Sequence, residues 1–152
     1  ENGIVVDDFM RTSAEHVYAI GDCADHKNPY AGNRRIRLES VQNANDQAFI
    51  VAKDITEQST PYLVVPWFWT DQGDVRLQMT GLSYDTNDYV LRGDIESGHF
   101  SVFHYANDRL VAVDSVNQPL DHMMARKLLG AGISPEKSKI SDTQTHLKSF
   151  LL

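Results

Sequence analysis

Between residues 75 and 116 short strand-like runs follow one another, parted by turn signals, and this pattern constrains the fold more than any other feature. Val75, Leu77 and Met79 alternate with Arg76, Gln78 and Thr80, the period-two signature of a half-buried strand. Residues 89–95 and 99–105 read as further strands, parted by Ser97-Gly98. Asn107-Asp108 then joins the second of these to 110–116 through a short hairpin. A helix follows. Pro119 suits its first turn, Leu120, Met123, Met124 and Leu128 form one face, and Gly130 or Gly132 ends it. A last helical segment over 142–151 would bury Leu147, Phe150 and Leu151. Strands joined by tight turns and then followed by helices predict an α+β arrangement, an antiparallel sheet with helices on one side.

The first part of the chain reads differently. An apolar run over 3–8 predicts a strand entered from a turn at Asn2-Gly3. Val17, Tyr18, Ala19 and Ile20 predict a second, buried strand with Gly21-Asp22 at its end. Over 39–55, Val41, Ala44, Ala48, Val51, Ala52 and Ile55 recur at three- and four-residue steps, which predicts an amphipathic helix. Gln58-Ser59-Thr60-Pro61 marks a boundary, giving regions 1–57 and 58–152. The chain opens at Glu1 on a turn, without a methionine, as expected for a piece of something longer.

Several classes of function drop out. Lysine and arginine number 14 against 21 acidic residues, a net charge of -7 that speaks against a nucleic-acid partner. One cysteine rules out an internal disulfide framework and fits a reducing cytoplasm. Cys23, following an apolar run, is expected to be a small packed residue. No apolar run approaches the roughly 18 residues of a membrane span, so no membrane partner is expected. With no secretory leader, the expected location is cytoplasmic. The histidines are scattered without metal-ligand spacing, and no Gly-x-Ser-x-Gly elbow or other catalytic set appears. Nor does any Gly-x-Gly-x-x-Gly loop, so nothing here can cradle a dinucleotide pyrophosphate.

Gly21-Asp22 is where ligand chemistry is expected. In open α/β sheets, ligands collect beyond the carboxyl ends of the strands. Glycine lets the backbone approach a bound group, and a carboxylate accepts hydrogen bonds from ligand hydroxyls. The run Thr12-Ser-Ala-Glu-His-Val-Tyr-Ala-Ile-Gly-Asp22-Cys-Ala resembles the second flavin fingerprint of FAD- and NAD(P)-dependent reductases. Further stretches follow the same family in order: Gly3-Ile-Val-Val-Asp, Arg37-Leu-Glu39-Ser-Val-Gln-Asn-Ala44, Pro66-Trp-Phe-Trp-Thr-Asp-Gln72, Asp114-Ser-Val-Asn117-Gln-Pro119 and Arg126-Lys-Leu-Leu. Over nearly its whole length the chain resembles the C-terminal part of the ferredoxin reductases that serve bacterial oxygenases. That is the group of putidaredoxin and rubredoxin reductases, with apoptosis-inducing factor a more distant relative.

The resemblance carries specific expectations. Residues 58–152 would be the C-terminal reductase domain, and 1–57 the last strands and helix of an α/β FAD-binding domain. Asp22, with Gly21, would hold the ribityl chain of FAD, the plain alternative being a cap or loop carboxylate. Glu39, Ser40 and Val41 would place a helix start at the flavin's pyrimidine edge, where unpaired N–H groups favour negative charge; the alternative is an ordinary helix entry capped by Ser40. Phe68 and Trp69 would lie along the isoalloxazine, Trp69 as a wall, while Trp67 would pack between domains. The parent protein would pass electrons from NADH or NADPH, bound upstream, through FAD to a ferredoxin or rubredoxin. Arg34 or Arg35, in the one basic cluster, would dock that acidic partner or simply lie in a solvated loop. The fragment alone would be inactive. No His-Pro base motif of the disulfide reductases is present. The alternative function is a non-catalytic interaction module, with 58–152 forming a homodimer.

Overall fold

The computed structural model describes residues 2–152; Glu1 lies outside the described residues. The chain divides into two compact units, Glu1–Pro66 and Trp67–Leu152. Residues 58–66 belong to the first unit because Tyr62 is buried in its core with Val6, Met10, Ala19, Ala24 and Ile50. Its N–H also donates to the Asp8 carbonyl at 2.8 Å and its hydroxyl to Asn43 Oδ1 at 2.9 Å. The division therefore falls after Pro66 rather than after residue 57.

In the first unit, strand β1 (Ile4–Val5) runs parallel to β2 (Ala24–Asn28), which pairs antiparallel with β3 (Arg34–Ile36). The strand expected over 3–8 is cut short by Asp7, whose carboxylate accepts the N–H groups of Phe9 and Arg11, each at 2.9 Å. The buried strand expected over 17–20 does not form. Val17 is 50% exposed and Ile20 37%, and only Ala19 is buried. Backbone bonds in this stretch close a tight excursion instead, Thr12 N–H to Val17 O at 2.9 Å and Ala19 N–H to Met10 O at 3.1 Å. Arg11 and Tyr18 form an isolated antiparallel bridge within it. Gly21 and Asp22 consequently precede a strand, in a 3-10 turn (Gly21–Cys23), rather than ending one. Cys23 is exposed, contrary to the expectation of a packed residue.

Helix α1 (Val41–Ile55) forms as expected, and of its expected face Val51 packs against the core and Ala44 is half-buried, but other positions differ. Val41 and Ile55 are 61% and 65% exposed, while Gln42, Asn43, Gln47, Ile50 and Asp54 are buried. The inward stripe of Asn43, Gln47, Ile50 and Asp54 has the spacing of one helix face, occupied mostly by polar residues.

The second unit is α+β. Its sheet has strands β4 (Trp67–Gln72), β5 (Val75–Gly81), β6 (Asp88–Asp94), β7 (His99–Ala106) and β8 (Arg109–Val116). All pair antiparallel, in the order β4-β5-β8-β7-β6. Asn107 and Asp108, at φ 49° and 62°, make the two-residue β7–β8 turn. Strand β4, with its aromatic run, extends the sheet beyond the strands expected from alternation. Helix α2 (Pro119–Gly130) packs on β5 and β8. It buries His122, Ala125, Leu128 and Leu129, whereas Leu120 and Met123 of the expected face are 69% and 44% exposed. A short helix α3 (Lys137–Ser141) and a 3-10 turn (Leu147–Leu151) replace the single helix expected over 142–151. Among the described residues no helix is long and apolar enough to cross a membrane.

Candidate functional site

The turn Gly21–Cys23 lies against α1. Gly21 is buried at φ 71°, a conformation that favours glycine, and an added Cβ would meet the Ala44 Cβ at 3.4 Å. Its N–H donates to Gln47 Oε1 at 2.7 Å. On the other side of Asp22, Arg37 Nη1 donates to the Asp22 carbonyl at 2.6 Å, and Arg37 Nη2 pairs with the Glu39 carboxylate at 2.8 Å. Asp22 is thus held by its backbone from both directions. Its carboxylate is exposed and has no partner among the described residues. The Arg37 stem crosses Gly3, where a Cβ would come within 2.6 Å of Arg37 Cδ, so a side chain at residue 3 would displace it.

The start of α1 follows directly. Ser40 is extended and its hydroxyl accepts the Asn43 N–H at 3.1 Å, an N-cap that sets where the helix begins. The N–H of Val41 has no intrahelical acceptor, and the helix end carries partial positive charge. Gly21, Asp22, Glu39, Ser40 and Val41 are thereby gathered by one turn, one helix start and the Arg37 bridge. An outward carboxylate beside a helix N-terminus suits a ligand carrying hydroxyls and an electron-rich end.

Behind the turn lies a buried polar network. Asn28 Oδ1 accepts the Tyr30 N–H at 2.9 Å, so its Nδ2 is the donor to His26 Nε2 at 3.2 Å. Gln47 Nε2 approaches His26 Nδ1 at 3.4 Å, and Tyr62 packs edge-on to the imidazole at 5.3 Å. Burial pushes the His26 pKa below its ordinary value, which keeps the ring neutral and able to accept from Asn28. Apolar periodicity does not point to Gln47; the spacing of the polar residues Asn43, Gln47 and Asp54 does.

In the second unit, Trp67 and Trp69 share one face of β4 and stack, with centroids 5.2 Å apart and planes at 29°. The Arg126 guanidinium lies 4.6 Å over the Trp67 ring, and His122 meets Trp67 edge-on at 5.7 Å. Trp69 keeps 38% exposure. Phe68, paired in register with Met79, occupies the opposite face of the strand, so the partner of Trp69 within this unit is Trp67 and not Phe68.

The two expected docking arginines both lie on β3. Arg35 is committed to its own unit, donating to the carbonyls of Val6 (2.9 Å) and Asp25 and pairing with the Asp25 carboxylate at 3.3 Å. Arg34 is exposed on β3, as Arg35 also is, and it too is engaged within the chain.

Residues 67–151 match the family described as "Reductase C-terminal", and residues 1–48 match "Pyridine nucleotide-disulphide oxidoreductase". The chain belongs to the Reductase C-terminal family. Rhodocoxin reductase of Rhodococcus erythropolis is 47% identical over 148 residues, covering 97% of this chain and 34% of that protein. The ferredoxin reductase for the CYP199A2 system from Rhodopseudomonas palustris superposes with a TM-score of 0.92 at 41% identity, over 97% of this chain and 36% of the other. The reductase of a covalent putidaredoxin reductase–putidaredoxin complex superposes with a TM-score of 0.93 at 34% identity, over 99% and 36%. The chain thus spans 34% to 36% of the length of these family relatives, corresponding to their C-terminal part.

Proposed function

We propose that this chain is the C-terminal portion of an FAD-dependent, NAD(P)H-linked ferredoxin reductase and supplies one side of its flavin site. The first unit is the end of the FAD-binding domain, and the second is the reductase domain. The observation that carries this reading is the exposed Asp22 carboxylate, without a partner among the described residues, anchored by its backbone from both sides and set beside the start of α1. In this role Asp22 accepts hydrogen bonds from the ribityl hydroxyls, and Gly21 allows the backbone to approach them. The N-terminus of α1, at Ser40 and Val41 with Glu39 before it, favours negative charge at the pyrimidine edge. Trp69, stacked on Trp67, supplies aromatic surface for the isoalloxazine, and Phe68, on the opposite face of β4, does not share it.

FAD, when bound, accepts a hydride from the nicotinamide and releases electrons singly. This chain's residues bind and orient it; the pyrophosphate loops and the nicotinamide site belong to sequence outside these 152 residues. The electron acceptor is a ferredoxin- or rubredoxin-type iron–sulfur or iron protein. Putidaredoxin reductase is named for such a partner, and the resemblance supports one here. Arg34 and Arg35, both exposed on β3, are the candidate docking cations. Complementary charge of this kind raises the encounter rate more than the affinity.

The test uses the full-length protein. NADH or NADPH should bleach its visible flavin band under anaerobic conditions, and an oxidised ferredoxin should restore it. A full-length protein without flavin, or with flavin that neither nucleotide reduces, contradicts the reading.

A further inference from the structure

We propose that Gln47 and Arg37 are positioning residues for Asp22, aiming its carboxylate at the flavin polyol by fixing the backbone on either side of it. The inference rests on the flavin reading above and assigns roles to two residues outside the ligand-contacting set. Gln47 is fully buried on α1, and its Oε1 takes the Gly21 N–H at 2.7 Å. The Gly21 N–H can only donate, so it fixes the amide oxygen as the atom facing the turn, and Nε2 lies on the His26 side at 3.4 Å from Nδ1. Arg37 works from the opposite side. Nη1 holds the Asp22 carbonyl at 2.6 Å while Nη2 holds Glu39 at 2.8 Å, linking the turn to the segment that enters α1.

Neither contact touches the Asp22 carboxylate. That separates aiming from binding. A short 3-10 turn with a glycine at positive φ has several accessible backbone states, and two hydrogen bonds from separate elements select one of them. Small displacements of a ligand-binding group cost large factors in binding or rate.

FAD affinity of the full-length apoprotein, followed by flavin fluorescence, is measured for Gln47→Leu, Asp22→Ala and the double variant, with apoprotein thermal stability recorded alongside. Positioning predicts that Q47L weakens FAD binding by about tenfold or more, and by less than about twofold when Asp22 is already alanine. Gln47→Glu, which keeps the acceptor for the Gly21 N–H, should recover most of the loss. Should Q47L fail to accumulate as folded protein, Arg37→Met, at a partly solvent-exposed position, carries the same cycle. An equal loss in both backgrounds, or no loss from Q47L, overturns the positioning role while leaving the flavin reading intact. Unchanged affinity in D22A overturns both.

Discussion

His122 shows what a single residue costs when its polar atoms are enclosed. The side chain is 4% exposed, and neither ring nitrogen has a hydrogen-bond partner among the described residues. Burial, with Arg126 and Arg76 nearby, pulls its pKa down to about 4. Unfolded, the ring takes a proton near the ordinary histidine value of about 6.5. Between the two values the unfolded chain holds more protons, so stability is full above about pH 6.5 and falls as pH drops toward about 4. The loss can reach roughly 3 kcal/mol. Urea denaturation in neutral and mildly acidic buffer should show it, and His122→Leu should flatten that dependence without weakening the protein at neutral pH. The same acid loss in H122L would assign it to other groups. Glycine 81 makes a second residue-scale case. At φ 74°, an added Cβ would fall 2.1 Å from the Val111 carbonyl oxygen on the neighbouring strand. Gly81→Ala should destabilise the chain by roughly 2 kcal/mol or more, read from the same denaturation midpoints.

At the scale of elements, two charged residues tie irregular segments to regular ones. Asp54, near the end of α1, accepts from Arg11 Nε and Nη2 at 2.7 and 2.5 Å, from the Tyr18 hydroxyl at 2.7 Å and from the Ser59 hydroxyl at 2.6 Å. The Arg11 and Ser59 bonds hold its carboxyl well below the usual carboxylate range. Its contribution is therefore present above the ordinary Asp value and lost as acid protonates the folded form. Asp54→Ala should loosen the 11–18 excursion, seen as faster amide exchange at Thr12 and Ala19 with β7 and β8 unchanged; uniform exchange would contradict this. In the second unit, Arg92 is buried and donates to the carbonyls of Ile140 (3.0 Å), Asp142 (2.7 Å) and Thr145 (3.0 Å) while pairing with Asp121 at 3.4 Å. Arg92→Lys cannot span these acceptors, and proteolysis within 140–152 should quicken. These ties mark where the sequence was legible. Short apolar runs parted by turn residues disclosed β5 to β8 and the Asn107-Asp108 turn, whereas the alternation over 75–80 did not fix the buried face, since Val75 is exposed and Thr80 is fully buried. The 17–20 run misled because apolar composition there is not matched by burial, the backbone closing on itself instead. Helix α1 misled in the opposite sense, its inward face being held by hydrogen bonds to Gly21, Leu38 and Arg11. Of the candidate site, Gly21, Asp22 and the Ser40 cap were readable from a linear motif. For Gln47 the polar spacing marks only a shared helix face, and its role depends on a fold that brings residue 47 to residue 21.

At the scale of the whole molecule, the chain covers 34% of rhodocoxin reductase and 36% of each solved relative named above, so the flavin chemistry proposed for it draws on a longer protein. It carries an outward carboxylate, a helix start and a tryptophan pair, and no glycine-rich pyrophosphate loop. The 152-residue chain alone should stay colourless when mixed with FAD, while the full-length protein should be yellow. The most direct test is the FAD dissociation constant of the full-length apoprotein with aspartate or alanine at position 22. Loss of charge-assisted hydrogen bonds to the ribityl hydroxyls predicts binding weaker by about tenfold or more. Equal affinity for the two proteins would remove Asp22 from the flavin site and contradict the account.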